Sequence, residues 1–279
     1  CFPASIFALR GLGKIEGLHP HVADFQRWMI ILLSVVLVLF SLVGTKIIHY
    51  SSMAYYPISF LSALSLWQIS EFPRKHKIWI AISLSFIAFI AIVVSVALPW
   101  AGMHVDDIIH LFDKDPFAKA NMDAEVPWSL WDYIPAIILL FTIIGYWIYR
   151  KRNPSFSFRL LFFGNAVWVF AALIFFIGKV ERISQRAAVE FFESHAQEEV
   201  YFVNYGYKSY VPWFYGEVQP YVDPKAYKRE WLYHGQVDRD VLIATKVNKV
   251  GQMIREIPDA QLLYHKNGFY FYRRKAYAR

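Results

Sequence analysis

Long apolar runs separated by short polar stretches set the pattern of the first two-thirds of the chain. They are WMIILLSVVLVLFSLVG (28–44), MAYYPISFLSALSLWQIS (53–70), IWIAISLSFIAFIAIVVSVALPW (78–100), IPAIILLFTIIGYWIY (134–149) and FRLLFFGNAVWVFAALIFFIG (158–178). Each approaches the ~20 residues needed to cross ~30 Å of hydrocarbon at 1.5 Å per residue. The second is the least apolar and is bracketed by tyrosines, as suits a helix facing protein or a cavity. The apolar opening at 1–12 reads as the tail of a further span. The pattern predicts a membrane all-α bundle of about five spans plus part of a sixth, over residues 1–178.

Beyond Gly178 the pattern changes to that of a small soluble α+β domain, 179–279. VERISQRAAVEFFESHAQE (180–198) carries apolar residues at helical spacing and predicts an amphipathic helix. EVYFVNYG (199–206) and DVLIATKV (240–247) are rich in β-branched and aromatic residues and predict strands. Asn267-Gly268 between two strand-like runs in AQLLYHKNGFYFYRR (260–274) is a strong hairpin signal, and a helix is expected near 248–256.

Composition agrees with a membrane protein. Hydrophobic residues make up 57% of the 279 and charged residues only 18%, against roughly 45–50% and about 25% in soluble domains. The 19% aromatic share suits two membrane–water interfaces that need anchors. The one cysteine, Cys1, rules out an internal disulfide and a cysteine-based metal site. The net charge of +7 becomes informative only through its distribution. Arg74, Lys75 and Lys77 fall in one short loop, Arg150, Lys151 and Arg152 in another, and Lys14 and Arg27 precede the first span. These positions alternate in register with the spans and so lie on one side, the cytoplasmic one. The 45–52 loop, the acidic 101–133 loop and the C-terminal domain are then extracytoplasmic, in a multi-pass protein of the inner (cytoplasmic) membrane. Basic and acidic residues nearly balance in the tail, so no footprint for nucleic acid is present.

Candidate chemistry concentrates in TKIIHYSSMAYYP (45–57), at the outer ends of the first two spans. Lys46, His49 and Tyr50, with neighbouring serines and tyrosines, offer a point charge and hydroxyl donors to a phosphate at headgroup depth. The same residues also suit an interfacial aromatic belt with a snorkelling lysine. In the tail, Tyr210, Trp213 and Tyr215 form a possible acceptor or sugar surface, because aromatic faces pack against sugar rings. A core or membrane-contact role fits them equally. In HVDDIIHLFDKD (104–115), His104, Asp107 and His110 would approach one another if the stretch were helical. A solvated acidic loop explains them more simply, and no metal is assigned. Asn165, inside the last span, is expected to hydrogen-bond between helices.

The turn Lys46-Ile47-Ile48-His49-Tyr50 followed by Pro57 resembles the K-x-x-H-Y…P signature of family 39 membrane glycosyltransferases. These polyprenyl-phosphate-dependent enzymes include the protein O-mannosyltransferases and the lipid A aminoarabinose transferase. CFPASIFALRGL near the start, with YKSYVPWFY (207–215) and AQLLYHKNGFYFYRR in the tail, adds to the likeness and points to a bacterial branch. The resemblance implies a GT-C fold, an extracytoplasmic active site and a lipid-linked sugar donor as substrate, with no cofactor. It places Lys46, His49 and Tyr50 beside the donor phosphate. The family's catalytic aspartate lies in a first outer loop for which this sequence has no counterpart. The chain is therefore expected to be the C-terminal half of such an enzyme, inactive alone. Its expected partners are the polyprenyl-phosphate sugar, membrane lipids and an acceptor lipid, glycan or protein. The alternative is a non-enzymatic transporter or assembly protein with a soluble sensor domain, but transporters place ionisable residues near the bilayer midplane, where these spans have almost none.

Overall fold

The computed structural model describes residues 1–15, 17–44, 52–72, 77–221 and 223–277. In chain order the helices are α1 (Ala4–Gly11), α2 (Pro20–Leu42), α3 (Tyr55–Glu71), α4 (Ile78–Met103), α5 (Val105–Ile108), α6 (Pro116–Asn121), α7 (Ile134–Tyr149), α8 (Pro154–Ser184) and α9 (Arg186–Ser194). There follow β1 (Tyr201–Tyr205), α10 (Val211–Tyr215), α11 (Arg229–His234), β2 (Val241–Lys246), α12 (Val250–Glu256), β3 (Gln261–Lys266) and β4 (Phe269–Arg274), with short 3-10 turns between some elements. The chain forms two compact units, Cys1–Pro99 with Leu130–Phe175, and Trp100–Ser129 with Phe176–Arg279.

Among the described residues four helical stretches are long and apolar enough to cross a membrane: α2, α4, Leu130–Tyr149 ending in α7, and α8. The second apolar run departs from the expected span. It forms α3, whose 17 residues reach only ~25 Å at 1.5 Å per residue. Its lower hydropathy has a structural cause, because Ser62, Ser65 and Gln68 are buried against protein. Ser65 Oγ donates to the Phe7 carbonyl at 2.7 Å, and the Arg10 guanidinium of α1 donates to Gln68. Gln26 of α2 donates to the carbonyls of Gly11 and Gly13 at 2.6 and 3.0 Å. These bonds satisfy polar groups that would otherwise be costly in an apolar interior.

The core of this unit is Phe7 with Ile69, Ile80, Leu84, Tyr146 and Leu161. Trp147 Nε1 donates to Ser85 at 2.8 Å and Trp168 Nε1 to Ser95 at 3.3 Å, tying α7 and α8 to α4. Asn165 donates to the Phe2 carbonyl at 3.2 Å, so its bond is to the segment before α1 and not, as expected, to another helix. Pro99 lies inside α4, which continues to Met103.

The second unit is built on a four-stranded sheet of order β1-β2-β4-β3. β1 runs parallel to β2, and the segment carrying α10 and α11 supplies the crossover that a parallel pair needs. β4 is antiparallel to both β2 and β3. Side chains alternate along β1: Phe202 joins one core with Phe191 and Phe192 of α9, while Tyr201, Val203 and Tyr205 join another with Leu232, Tyr233 and Met253. β1 and β2 are therefore buried on both faces, which explains their nearly continuous apolar character. The predicted strands, the hairpin and the helix near 248–256 all form. The helix predicted over 180–198 does not form as one piece: α8 runs on to Ser184, and the amphipathic helix is the shorter α9.

Candidate functional site

The segment between α2 and α3 is the first candidate. Lys46, His49 and Tyr50 lie outside the described residues; the ends of the two flanking helices lie within them. α2 ends at Leu42 and α3 starts at Tyr55. Leu33 and Val36 of α2 pack with Ala54 and Leu61, so the start of α3 is fixed against α2 by apolar contact. Pro57 is buried in the first turn of α3, where a missing amide hydrogen costs least. Tyr55 and Tyr56 beside it are exposed.

The second candidate is the aromatic surface of the α+β unit. Asn204 of β1 donates to the Ser209 carbonyl at 3.1 Å, and the Val211 amide donates to Ser209 Oγ, so the turn before α10 is held to the sheet. Trp213 lies 5.8 Å from the Tyr221 ring and is parallel to Tyr227 within 7° at 6.5 Å. Tyr215 instead packs edge-on against Phe214 at 5.0 Å, and Tyr210 at the helix start is 86% exposed. The three residues grouped by the sequence thus enter different surroundings, and Trp213 is the one gathered into an aromatic cluster. The sequence reading passed over Tyr201, Tyr221 and Asp238, which line a cleft near that cluster. They come from three separated segments, and no local spacing announces their meeting.

The acidic stretch at 104–115 is a structural loop. His104 Nδ1 contacts the Trp100 carbonyl at 2.9 Å and its ring stacks on Trp100. The helix breaks after α5 into a 3-10 turn, so His104, Asp107 and His110 do not share a continuous helical face. Asp113 pairs with Lys119 at 2.7 Å, a bond that lowers the carboxyl pKa, and Asp115 caps α6. Among the described residues no group of three His, Cys, Asp or Glu is placed to hold a metal ion.

Four apolar helices of spanning length, with buried polar contacts between helices, define a multi-pass membrane protein carrying a small α+β unit. The architecture is similar to that of ArnT from Cupriavidus metallidurans bound to undecaprenyl phosphate, with a TM-score of 0.54 and 12% identity. The match covers 93% of this chain and 49% of that one, so this chain spans about half the length of the ArnT chain. The likeness shows the GT-C fold and leaves the family 39 and mannosyltransferase assignments to the sequence motif. No family model matches the chain, and no curated protein matches it.

Proposed function

We propose that the protein is a polyprenyl-phosphate-dependent membrane glycosyltransferase, moving a sugar from the lipid-linked donor to an extracytoplasmic acceptor. The observation that carries this reading is the fold likeness, over 93% of the chain, to ArnT bound to undecaprenyl phosphate. The Lys46-x-x-His49-Tyr50 motif, in the sequence between α2 and α3, supports it from the sequence side.

In such a transfer the acceptor oxygen attacks the anomeric carbon as the lipid phosphate departs. Charge on the phosphate grows as its bond to the sugar breaks, so fixed donors stabilise the transition state more than the ground state. Lys46 supplies full positive charge, while Tyr50 and His49 supply hydrogen bonds. The acceptor's proton must pass to a base, and this reading gives that role to none of the described residues.

Binding of the donor's leaving group tests the site without any knowledge of the sugar or acceptor. The chain in lipid nanodiscs is titrated with undecaprenyl phosphate, and the complex is quantified by native mass spectrometry. Saturable binding is expected, weakened about tenfold or more in Lys46→Ala, which corresponds to ~1.4 kcal/mol or more. Equal binding by wild type and variant removes Lys46 from the site, and absence of binding overturns the lipid-phosphate reading.

A further inference from the structure

We infer that the cleft between the start of β1 and residues 216–221 is a binding site for a neutral oligosaccharide. Its volume is about 530 Å³, within the roughly 300–1,000 Å³ range of small-molecule sites. Two kinds of group line it. Tyr221 provides an aromatic wall, its ring 5.1 Å from and nearly perpendicular to that of Tyr201, which is buried in the core behind it. Behind Tyr221 stand Trp213 and Tyr227, the latter 5.3 Å from it, so this wall is braced by further rings. Carboxylates from Glu217, Asp223 and Asp238 face the same space, with Arg239 the one lysine or arginine among its described lining residues.

Two of these carboxylates, Asp223 and Asp238, are held in place. Asp238 accepts from the Tyr201 hydroxyl at 2.9 Å, and Asp223 accepts from the Lys225 amide at 2.8 Å. An ionised carboxylate offers about four acceptor positions, so one such bond orients it and leaves acceptor capacity for a ligand. A cleft of fixed acceptors needs a ligand rich in donors. Its excess of negative charge disfavours phosphates and acidic sugars. Its aromatic wall needs a flat, weakly polar face. A pyranose ring answers all three demands, with hydroxyl donors around its edge and a C–H face for the tyrosine ring. A divalent cation does not, since no three acidic or imidazole groups among the described residues converge as ligands. The inference stands apart from the transferase reading, because a glycan can be held here whether or not sugar is transferred elsewhere.

The test uses the full chain in lipid nanodiscs, free of sugar-based detergent. Intrinsic fluorescence and calorimetry follow titration with cellohexaose, maltohexaose and chitohexaose, with hexagalacturonate and the deacetylated hexamer of chitosan as charged comparisons. At least one neutral hexaose is expected to bind saturably and at least tenfold more tightly than hexagalacturonate. Tyr221→Ala and Asp238→Asn should each weaken that binding tenfold or more. Tyr221→Phe, which keeps the ring, guards against misfolding and should bind within a few-fold of wild type at an unchanged melting temperature. The proposal is overturned if no neutral hexaose binds, if hexagalacturonate binds equally well, or if the two weakening variants bind like wild type. Binding confined to the chitosan hexamer also overturns it, in favour of charge recognition. Undecaprenyl phosphate binding, measured on the same samples, reports separately on the transferase reading.

Discussion

A β-carbon placed on Gly11 would lie 2.3 Å from the carbonyl oxygen of Leu61. The contact is with backbone, so α1 and α3 leave no room for a side chain at this point. Small residues serve the same purpose wherever membrane helices associate through packing rather than through hydrophobic burial. Gly11→Ala must push the helices apart or bend one of them, and strain the nearby bonds from Ser65 to Phe7 and from Arg10 to Gln68. Overpacking of this kind costs about 1–3 kcal/mol. The expected result is a lower melting temperature in nanodiscs for Gly11→Ala. Gly178, within α8, is the comparison: a β-carbon there meets nothing within 4 Å. Gly178→Ala should be neutral or stabilising by up to about 1 kcal/mol through helix propensity.

The β3–β4 hairpin gives a second position where glycine is required. Asn267 and Gly268 both have positive φ, 47° and 76°, as a two-residue turn of the primed type demands. Gly268 also lies under α6, where a β-carbon would stand 3.0 Å from the Phe117 ring and 3.2 Å from its carbonyl oxygen. Gly268→Ala therefore meets conformational and steric penalties together, about 1–2 kcal/mol from the left-handed backbone alone. Thermal melting followed by near-ultraviolet circular dichroism should show the loss. Asn267→Gly should be tolerated, because it relieves the one constraint that position carries.

These two glycines illustrate what was legible in the sequence. Asn267-Gly268 announces its turn because the required backbone conformation selects those residue types locally. Gly11 announces nothing, since its role depends on Leu61, fifty positions away in the chain and on another helix. The apolar runs were legible as helices because lipid and protein interior both demand internally satisfied backbone. Their ends were less so. Lys179, Glu181 and Arg182 look like the end of a span, yet α8 continues through them to Ser184. A change in polarity marks a change in surroundings, not the last hydrogen bond of a helix. Lys179 finds its partner in the Trp128 ring, 5.0 Å away and supplied by a distant loop. The Lys46-x-x-His49-Tyr50 motif stands out in the sequence because its residues are contiguous, whereas the Tyr201–Tyr221–Asp238 cleft emerges only once the sheet and its crossover have formed.

The buried tyrosines of the α+β unit predict an alkaline limit to its stability. Burial, together with a hydrogen bond to Asp238, pushes the Tyr201 phenol up to about 12, and burial with a bond to Glu256 does the same for Tyr205. Tyr233 is also raised to about 12 by burial. A raised phenol pKa means that the folded state holds its proton more tightly than the unfolded chain, whose value is near 10. Their contribution is fully present below pH ~10 and is lost as pH rises towards ~12. The melting temperature should accordingly be flat up to the unfolded value and fall through this window. In Tyr201→Phe the fall should be shallower, because one titrating group is gone. An identical alkaline slope in the variant would show that Tyr201 ionises in the folded protein as readily as in the unfolded chain.

Arg274 and Asp259 form an ion pair at 2.7 Å whose two members should behave unequally when removed. The arginine side chain is almost wholly enclosed and the aspartate is more than half exposed. Arg274 also donates to the carbonyls of Leu232 and Gly235, at 3.3 and 2.8 Å, joining β4 to the end of α11. Loss of the guanidinium leaves those buried carbonyls without these donors, while loss of the carboxylate leaves a cation that still has two backbone partners and access to water. Arg274→Ala is expected to cost about 2–4 kcal/mol, and Asp259→Ala no more than about 1 kcal/mol. Arg274→Lys should recover only part of the difference, since one ammonium cannot reproduce a planar fork that reaches three acceptors. Raising the salt concentration should narrow the effect of Asp259→Ala and leave that of Arg274→Ala nearly unchanged, because screening reaches the exposed pair but not the enclosed backbone bonds. Chemical denaturation of wild type and the three variants at low and high salt checks the whole pattern. Equal losses for Arg274→Ala and Asp259→Ala would show that the ion pair, rather than the carbonyl contacts, fastens β4 to α11.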